Sequence, residues 1–392
     1  MSQKLRVLFL PKWYPSKFDI SDGNFIENHA KAVHTKCTLG VIFVHSSPHE
    51  ENKYHIEKSA PHGFNEYRIF YRKPKSSIRI FNQLIGFIRY FKSQRIGYRR
   101  YISENGVPQL NHIHINGRSA MLALYLRFKF NIPFILTEHW SGYTKENGAF
   151  KGYLRKLAYR FIAKNSSYIT TVSNFLKKSM QSHGIQGEFE LVPNVVDTSV
   201  FSIQKKKPST IKRIIHISNL SYSPKNLHLI IEALDQVGKE RIDFEFDLIG
   251  TGPKEDEMID KLNQSSIKDR YKFYGEVPMK MVSEVLSNAS FLLLYSSYET
   301  QSVVLIESFA CGVPVLSSKV GGIPEYMDEE KGFFVQPNNM GELISSIHQM
   351  LDKANTYNAE KIRQYAISKF SEEVIAQRFL SLYEKVLKLN EA

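Results

Sequence analysis

The 392-residue sequence reads as an α/β protein built in two units, on three observations. Short β-rich apolar runs alternate with helical patterns, which is how parallel strands joined by crossover helices are written. The alternation occurs in two series, and a chain of this length exceeds what one hydrophobic core ordinarily organises. Between the series stands Val192-Pro193-Asn194-Val195-Val196-Asp197, followed by the polar run Gln204 to Thr210 with three lysines and a proline, a composition suited to a connection. The boundary is placed near residue 200. This gives a first domain over 1–200, a second over 201–370 and a terminal segment over 371–392.

The first series of strands is Arg6 to Leu10, Leu39 to Val44, Gln109 to Ile115, Phe134 to Thr137 and Tyr168 to Val172. The second is Arg213 to Ile217, Phe244 to Ile249, Lys272 to Tyr274, Phe291 to Tyr295 and Val315 to Ser317. From Ser371 onward Ile375, Phe379, Leu382, Tyr383 and Val386 recur at helical spacing, so the tail is expected to be a docked amphipathic helix.

Cys37 and Cys311 are the only cysteines, which leaves neither a disulfide framework nor a zinc-type spacing, and a reducing cytoplasm is the expected compartment. The opening MSQKLRVLFLPKWYP has too short an apolar run for a signal peptide, and nowhere do 18 apolar residues run unbroken. A soluble or peripheral protein is expected. The formal charge of +13 is concentrated: Lys58 to Arg100 holds eleven Lys or Arg against one acid, Glu66. Within it Phe81, Leu84, Ile85, Ile88 and Phe91 recur at helical spacing, with Arg79, Arg89, Lys92, Arg95, Arg99 and Arg100 on the polar side. Either the stripe packs on the domain's own sheet, or residues 72–100 meet an anionic membrane, where each basic residue is worth about 1 kcal/mol. Nucleic acid is not expected as a partner, because no recognised motif accompanies the patch.

The most specific segment is Ser296-Ser297-Tyr298-Glu299, then TQSVVLIE ending at Glu307, then SFACGVP and Gly321-Gly322-Ile323-Pro324-Glu325. A strand leads into the loop, and the following helix begins near Ser302, a good N-cap residue, and stops at Gly312. Free N–H groups around Val303 to Leu305 and the positive end of the helix dipole suit a diphosphate. Glu307 lies among Val304, Leu305, Ile306 and Phe309; it is either a surface glutamate or a costly buried carboxylate for which the two hydroxyls of a ribose would be donors.

The run from Ser296 to Glu325 resembles the C-terminal signature of the retaining glycosyltransferases of family 4, which have two Rossmann-like domains facing a cleft, the arrangement called GT-B. Other segments agree in order. Pro11-Lys12-Trp13-Tyr14-Pro15-Ser16 with Asp22-Gly23-Asn24-Phe25 resembles the family's first loop, and His112-Ile113-His114 and Thr137-Glu138-His139-Trp140 resemble its acceptor-side segments. Thr171-Val172-Ser173, Pro193 to Asp197, Pro224-Lys225-Asn226, Gly250-Thr251-Gly252-Pro253 and Tyr274-Gly275-Glu276-Val277 also fall in place. The resemblance covers nearly the whole chain.

That resemblance implies a role for each matching residue. Glu307 would bind ribose, and Glu299 with Thr300, Gln301, Ser302 and Val303 would hold the donor sugar and diphosphate. Lys225 would stabilise charge on the leaving phosphate. Gly23 and Asn24 would bring the first loop to the phosphate, although Gly23 also reads as a plain turn glycine. Gly250 and Gly252 would complete the donor site. His139 would sit near the anomeric carbon unless it is merely structural, with Trp13, Tyr14, His114 and Trp140 on the acceptor side. Catalytic roles would fall to His139, Glu299 and Lys225.

Transfer would retain anomeric configuration by front-face attack, with no metal and no other cofactor, since no Asp-x-Asp motif stands near a donor loop. Closure of the domains would exclude water. The sequence departs from the family where Ser218-Asn219-Leu220 replaces an arginine-containing run, so that Lys225 acts alone with the helix terminus or a base such as Arg213 compensates. It departs again at Thr300-Gln301-Ser302, where donor choice is read.

A glycosidase with two carboxylates about 5–9 Å apart has no need of an anion site. A sugar-nucleotide epimerase of the same fold and a degenerate sugar-nucleotide binding protein are the other readings. The expected acceptor is a glycan or lipid-linked glycan in cell-surface polysaccharide synthesis, at the inner face of a membrane.

Overall fold

Residues 4–205 and 209–391 are described by the computed structural model, and they form two units that part at Val195/Val196 and again at Ser371/Glu372. In the first unit the chain runs β1 (Arg6–Pro11), α1 (Asn24–Lys36), β2 (Thr38–Ser47), β3 (Tyr54–Ser59), β4 (Asn65–Arg72), α2 (Arg79–Asn105) and β5 (Leu110–His114). It continues through α3 (Ala120–Phe130), β6 (Phe134–Glu138), α4 (Tyr153–Asn165), β7 (Tyr168–Thr171), α5 (Asn174–Ser182) and β8 (Phe189–Leu191). Among the described residues the strand order is β3-β4-β2-β1-β5-β6-β7-β8, parallel throughout except where β3 pairs antiparallel with β4. The order reverses between β1 and β5. Loops leaving these two strands diverge, which opens a crevice at their C-terminal ends.

Both faces of this sheet are covered, which explains the unbroken apolar run of β1. Leu8 and Leu10 pack into one apolar cluster and Val7 and Phe9 into the other, because successive side chains of a strand point to opposite faces.

The second unit contains β9 (Lys212–Ile217), α6 (Leu227–Glu240), β10 (Phe244–Ile249), α7 (Glu255–Asn263), β11 (Tyr271–Gly275), α8 (Met279–Asn288) and β12 (Phe291–Leu294). There follow α9 (Val303–Ala310), β13 (Val315–Ser318), β14 (Gly332–Val335), α10 (Met340–Lys353) and α11 (Ala359–Phe370). The order β11-β10-β9-β12-β13-β14 is wholly parallel, the doubly wound arrangement with its switch point between β9 and β12. The chain then returns to the first unit as α12 (Glu372–Glu391). Ile375, Phe379, Leu382, Tyr383 and Val386 are all buried there beside Val7, Phe9 and the apolar side of α1, and the Tyr383 hydroxyl meets His112 Nδ1 at 2.7 Å.

Three expectations are revised. The polar run from Gln204 is not the crossing between units: Val196 already pairs with Ser371, its N–H donates to Phe370 O at 2.9 Å, and Phe201 is buried in the second unit. Residues 206–208 of that run lie outside the described residues. Strands β3, β4, β8 and β14 have no counterpart among the sequence-predicted strands, and the basic stretch from Lys58 begins in a hairpin, where Arg68 pairs with buried Glu66 at 2.7 Å.

The apolar stripe of α2 does not pack on the sheet. The helix is seated by Tyr90, Ser93, Gln94, Gly97 and Tyr101, whereas Ile80, Phe81, Leu84 and Ile88 are 74, 53, 54 and 55% exposed. Its C-terminal half is the docked half.

Because Phe379 anchors α12 against α1, Phe379→Ala is expected to destabilise the first unit by about 3–5 kcal/mol, seen as an earlier transition in denaturant unfolding. An unchanged transition would show that α12 is dispensable to that core.

Candidate functional site

At the switch point of the second unit the loops after β9 and β12 are laced together. Asn226 caps α6 in a left-handed conformation, φ 52°, and its amide donates to Tyr295 O at 3.0 Å and Ser297 Oγ at 2.8 Å. Ser297 N–H donates back to Pro224 O at 2.8 Å. Held between them, Lys225 Nζ donates to Glu299 Oε1 at 2.6 Å, and Ser296 Oγ donates to the same oxygen at 2.9 Å. Lys225 and Glu299 are therefore ion-paired to each other, while two ammonium protons remain for other acceptors. Gly321, at φ 56°, lies so close beneath this loop that a Cβ would fall 1.8 Å from Glu299 O.

Glu307 is buried, 5% exposed, on α9. That excludes a surface glutamate. Burial alone pushes its carboxyl up to about 7, and no donor among the described residues is bonded to it. Ser302 occupies the N-cap position of α9, but its hydroxyl makes no capping bond, so the first-turn N–H groups gain no side-chain partner there. The N-cap expectation is right in position and wrong in function. The other end is closed by Gly312 N–H to Phe309 O at 2.9 Å and Val313 N–H to Ser308 O at 2.9 Å. Gln301 and Ser302 are buried, and Thr300 and Val303 are half-buried.

Arg213 does not compensate for Asn219. It is the second residue of β9, near the far end and about 16 Å of strand away, and it pairs with Glu245 at 2.9 Å. Gly250 and Gly252 are packed tightly against the neighbouring loop: a Cβ on Gly250 would fall 1.9 Å from Ser218 O and one on Gly252 2.5 Å from Leu220 O, and Leu220 N–H donates to Thr251 O at 2.9 Å. Lys254, whose N–H bonds Leu220 O at 3.1 Å, is a cation carried to the Asn219 loop, with its ammonium on Glu257 at 3.0 Å. The buried His216 bridges β9 and β12, its Nδ1–H donating to Leu293 O at 2.7 Å while Nε2 lies 2.7 Å from Ser218 Oγ.

In the first unit the loops after β1, β5 and β6 meet. Gly23, at φ 74°, starts α1 and lies against the Trp13 backbone, where a Cβ would come within 2.6 Å. Its role here is this packing, and Asn24 is an ordinary first helical residue, so the left-handed angle falls on glycine alone. Tyr14 and His114 are fully buried, which removes them from any acceptor-facing surface. The Tyr14 hydroxyl donates to Glu66 at 2.7 Å, and His114 Nδ1 faces His139 Nε2 at 3.5 Å. Trp13 and Trp140 stay half-exposed.

His29, His114 and His139 bring ring nitrogens within 4.8 Å of one another. His29 Nε2–H donates to Pro193 O at 3.0 Å. Burial holds His29 at about 4 and lowers His112, His114 and His139 well below the usual range, with mutual repulsion adding to the effect. The cluster is neutral at pH 7.

Sequence reasoning missed Glu138, Lys12, Arg155 and His29. Glu138 is fully buried and accepts from Asn116, His139 and Trp140 N–H groups, each at 3.0 Å, and from Tyr143 Oη at 3.2 Å. It fixes the backbone that presents His139 and Trp140. Lys12 and Glu138 stood inside quoted motifs, whereas Arg155 and His29 have no motif to mark them.

Two doubly wound parallel-sheet units, the second with a buried carboxyl and an uncapped helix terminus at its switch point, have the GT-B architecture. The descriptions "Glycosyl transferases group 1" and "Glycosyltransferase Family 4" match residues 197–369 and 26–200 respectively. The chain belongs to the family 4 GT-B glycosyltransferases.

It is 28% identical over 243 residues to N-acetyl-alpha-D-glucosaminyl L-malate synthase of Bacillus anthracis, covering 58% of this chain and 62% of that one. It is also 28% identical over 199 residues to a phosphatidylinositol N-acetylglucosaminyltransferase component of Arabidopsis thaliana, covering 50% and 44%. The chain thus spans about half the length of the curated relatives it matches. In fold it is similar to sucrose-phosphate synthase from Thermosynechococcus elongatus, with TM-score 0.76, 18% identity and coverage of 98% and 100%. Anabaena HepE in complex with UDP gives TM-score 0.71, 16% identity and coverage of 97% and 100%.

Glu307 carries a pH signature. Its folded-state pKa of about 7 exceeds the ordinary 4.5, so the folded protein keeps a proton that the unfolded chain has lost. Stability therefore falls as pH rises between these values, by about 3 kcal/mol in total. Glu307→Gln is expected to gain stability over the parent progressively from pH 4.5 to 7 in thermal unfolding, and a pH-independent difference would contradict the burial.

Proposed function

We propose that the chain is a retaining, metal-independent glycosyltransferase that moves a sugar from a nucleotide-diphosphate sugar to a glycan or lipid-linked glycan acceptor in cell-surface polysaccharide synthesis. The observation that carries this reading is Glu307, a buried carboxyl with no bonded donor beside an uncapped helix N-terminus. A ribose supplies two hydroxyl donors to the first, and a diphosphate suits the second. Lys225 lies on the Glu299 carboxylate at the same switch point. Its ammonium turns to the diphosphate as the anomeric C–O bond breaks, and Glu299 is released toward the hydroxyls of the sugar. The acceptor oxygen bonds to the anomeric carbon on the face the phosphate leaves, and its proton passes to the leaving phosphate oxygen. His139, neutral and fixed through Glu138, orients the reacting groups.

Lys225 and the α9 terminus supply the charge stabilisation for which a divalent cation would otherwise serve. Support for a polysaccharide role comes from 26% identity over 238 residues to the "Putative colanic acid biosynthesis glycosyltransferase WcaL" of Escherichia coli K12. The HepE structure with UDP makes UDP-sugars the first donors to test.

Support for a membrane-borne acceptor comes from α2, whose exposed Ile80, Phe81, Leu84 and Ile88 share the helix with Arg79, Lys92, Arg95 and Arg99. Solvated apolar surface beside unpaired cations matches the interface of an anionic bilayer. Among the described residues no helix is long and apolar enough to cross a membrane. The attachment in this reading is peripheral, at the cytoplasmic face.

With a panel of UDP-sugars, acceptor-dependent nucleotide release is expected, unchanged by EDTA and lowered about tenfold to a hundredfold in Glu307→Ala. Binding without release would favour a non-catalytic sugar-nucleotide protein, and loss of rate in EDTA restored by Mg²⁺ would overturn metal independence. In co-sedimentation, anionic vesicles should be preferred over neutral ones, and Lys92→Gln and Arg95→Gln should each weaken binding about fivefold. Equal partition to both vesicle types would remove α2 from membrane attachment.

A further inference from the structure

His29 on α1, His114 at the end of β5 and His139 just after β6 are brought to one place, with a ring nitrogen of each within 4.8 Å of the others. They are far apart in the sequence, so the fold alone assembles the group. His114 Nδ1 and His139 Nε2 stand 3.5 Å apart. That is longer than a good hydrogen bond, yet it is the spacing of two ligands on one zinc ion: with Zn–N of about 2.0–2.1 Å, ligand nitrogens lie roughly 3.3–3.6 Å from each other.

His29 is prepared for the same role. Its Nε2–H donates to Pro193 O at 3.0 Å, which leaves the lone pair on Nδ1, and that atom has no hydrogen-bond partner among the described residues. A metal-bound histidine is held in this manner, by a backbone carbonyl on the nitrogen that does not bind the metal. An unused nitrogen at this depth costs free energy, which coordination would return. All three rings are neutral at pH 7, so each offers a lone pair without first losing a proton.

The surroundings select the ion. Phe9 lies 4.5 Å from the ring centre of His114, Phe25 4.6 Å from that of His139 and Phe379 5.3 Å from that of His29. Aromatic rings therefore wall the group, and its three ligand atoms are all nitrogen. Hard cations such as Mg²⁺ and Ca²⁺ take oxygen ligands, whereas imidazole suits Zn²⁺, Co²⁺ and Ni²⁺. Glu138, whose carboxylate accepts the His139 N–H at 3.0 Å, places a negative charge beside the group. Three protein ligands leave a fourth position for water, and His139 is the one ring of the three with any exposure, 7%.

We propose that His29, His114 and His139 form a site for one zinc-type dication, and that its occupation inhibits the protein by taking the His139 ring out of use. An imidazole nitrogen bound to metal has given up its lone pair, and its ring is held in one orientation. The ion takes no part in transfer. The site stands on the first unit alone, whereas the inhibition rests on the glycosyltransferase reading, in which His139 orients the reacting groups.

The full chain, without an affinity tag and freed of metal by EDTA and dialysis, is titrated with Co²⁺. One equivalent is expected to give an intense visible absorption, as nitrogen ligands at low coordination number do. Zn²⁺ should displace it, and a large excess of Mg²⁺ or Ca²⁺ should not. His29→Gln, whose amide can still donate to Pro193 O, and His114→Gln should each weaken Co²⁺ and Zn²⁺ binding by about a hundredfold. Circular dichroism establishes that the variants are folded, and if one is not, the other decides. A second cluster, Glu27, His62 and Glu66, provides the control, since its carboxylates already hold Lys31 and Arg68. His62→Gln should leave the titration unchanged. No saturable absorption, or absorption kept in the histidine-to-glutamine variants at 29 and 114, would overturn the site.

In the nucleotide-release assay, Zn²⁺ at one equivalent should remove most of the parent's rate and EDTA should restore it. His29→Gln, compared with its own metal-free rate, should be insensitive to the same Zn²⁺. Zinc bound without loss of rate would overturn the inhibition. If no sugar donor gives any nucleotide release, the glycosyltransferase reading fails and the Co²⁺ titration still decides the site.

Discussion

The second unit depends on the side chain of Asn226. Parallel strands on either side of a switch point send their loops in opposite directions, and left alone such loops diverge. Asn226 adopts the left-handed angle that ends one loop, and its amide bonds the backbone and hydroxyl of the other. The adjacent Lys225 is thereby brought onto Glu299. Neighbouring loops then close in: Gly321 lies under Glu299 and Gly250 against Ser218, each where a methyl group has no room. Fixing the loops before a ligand arrives moves the ordering cost into folding, where the sheet's apolar core offsets it.

Carboxylates only a few residues apart are treated differently by this scaffold. Glu299 is satisfied by Lys225 and Ser296, whereas Glu307 is buried without a bonded donor. An unsatisfied carboxyl lowers stability, and local rules are broken in this way chiefly at functional sites. In the first unit Glu138 is the contrasting case, fully buried yet saturated by four donors, and it works by holding backbone. Its field falls on Lys12 and its bonds fix His139 and Trp140.

What the sequence made legible follows from what each segment buries. β1, β2 and β12 place apolar residues on both faces and stand out as runs, whereas β3 and β4 mix charged and aromatic residues at the sheet margin and β8 has three residues. In α2 two stripes compete. Periodicity marks the larger, Phe81 to Phe91, but the seat on the sheet is made by Tyr90, Gly97 and Tyr101, and no spacing rule reveals which side meets the core. At the site, Lys225, Glu299 and Glu307 stood in recognisable motifs. Tyr14 and His114 stood in motifs too, yet they are fully buried while Trp13 and Trp140 remain half-exposed, and no motif tells the two cases apart. Arg155 could not be paired with Lys12, since they are joined only through an indole that folding places between them.

The first unit keeps two cationic features in different surroundings. The outer face of α2 keeps lysines and arginines beside exposed apolar residues, and the switch-point crevice keeps Lys12 and Arg155 on Trp140 without an ion pair. Exposure sets the two apart: the cations of α2 are solvated beside apolar side chains, whereas Lys12 and Arg155 are half-buried against Trp140. The excess positive charge of the chain lies in the first unit, and the second is nearly balanced.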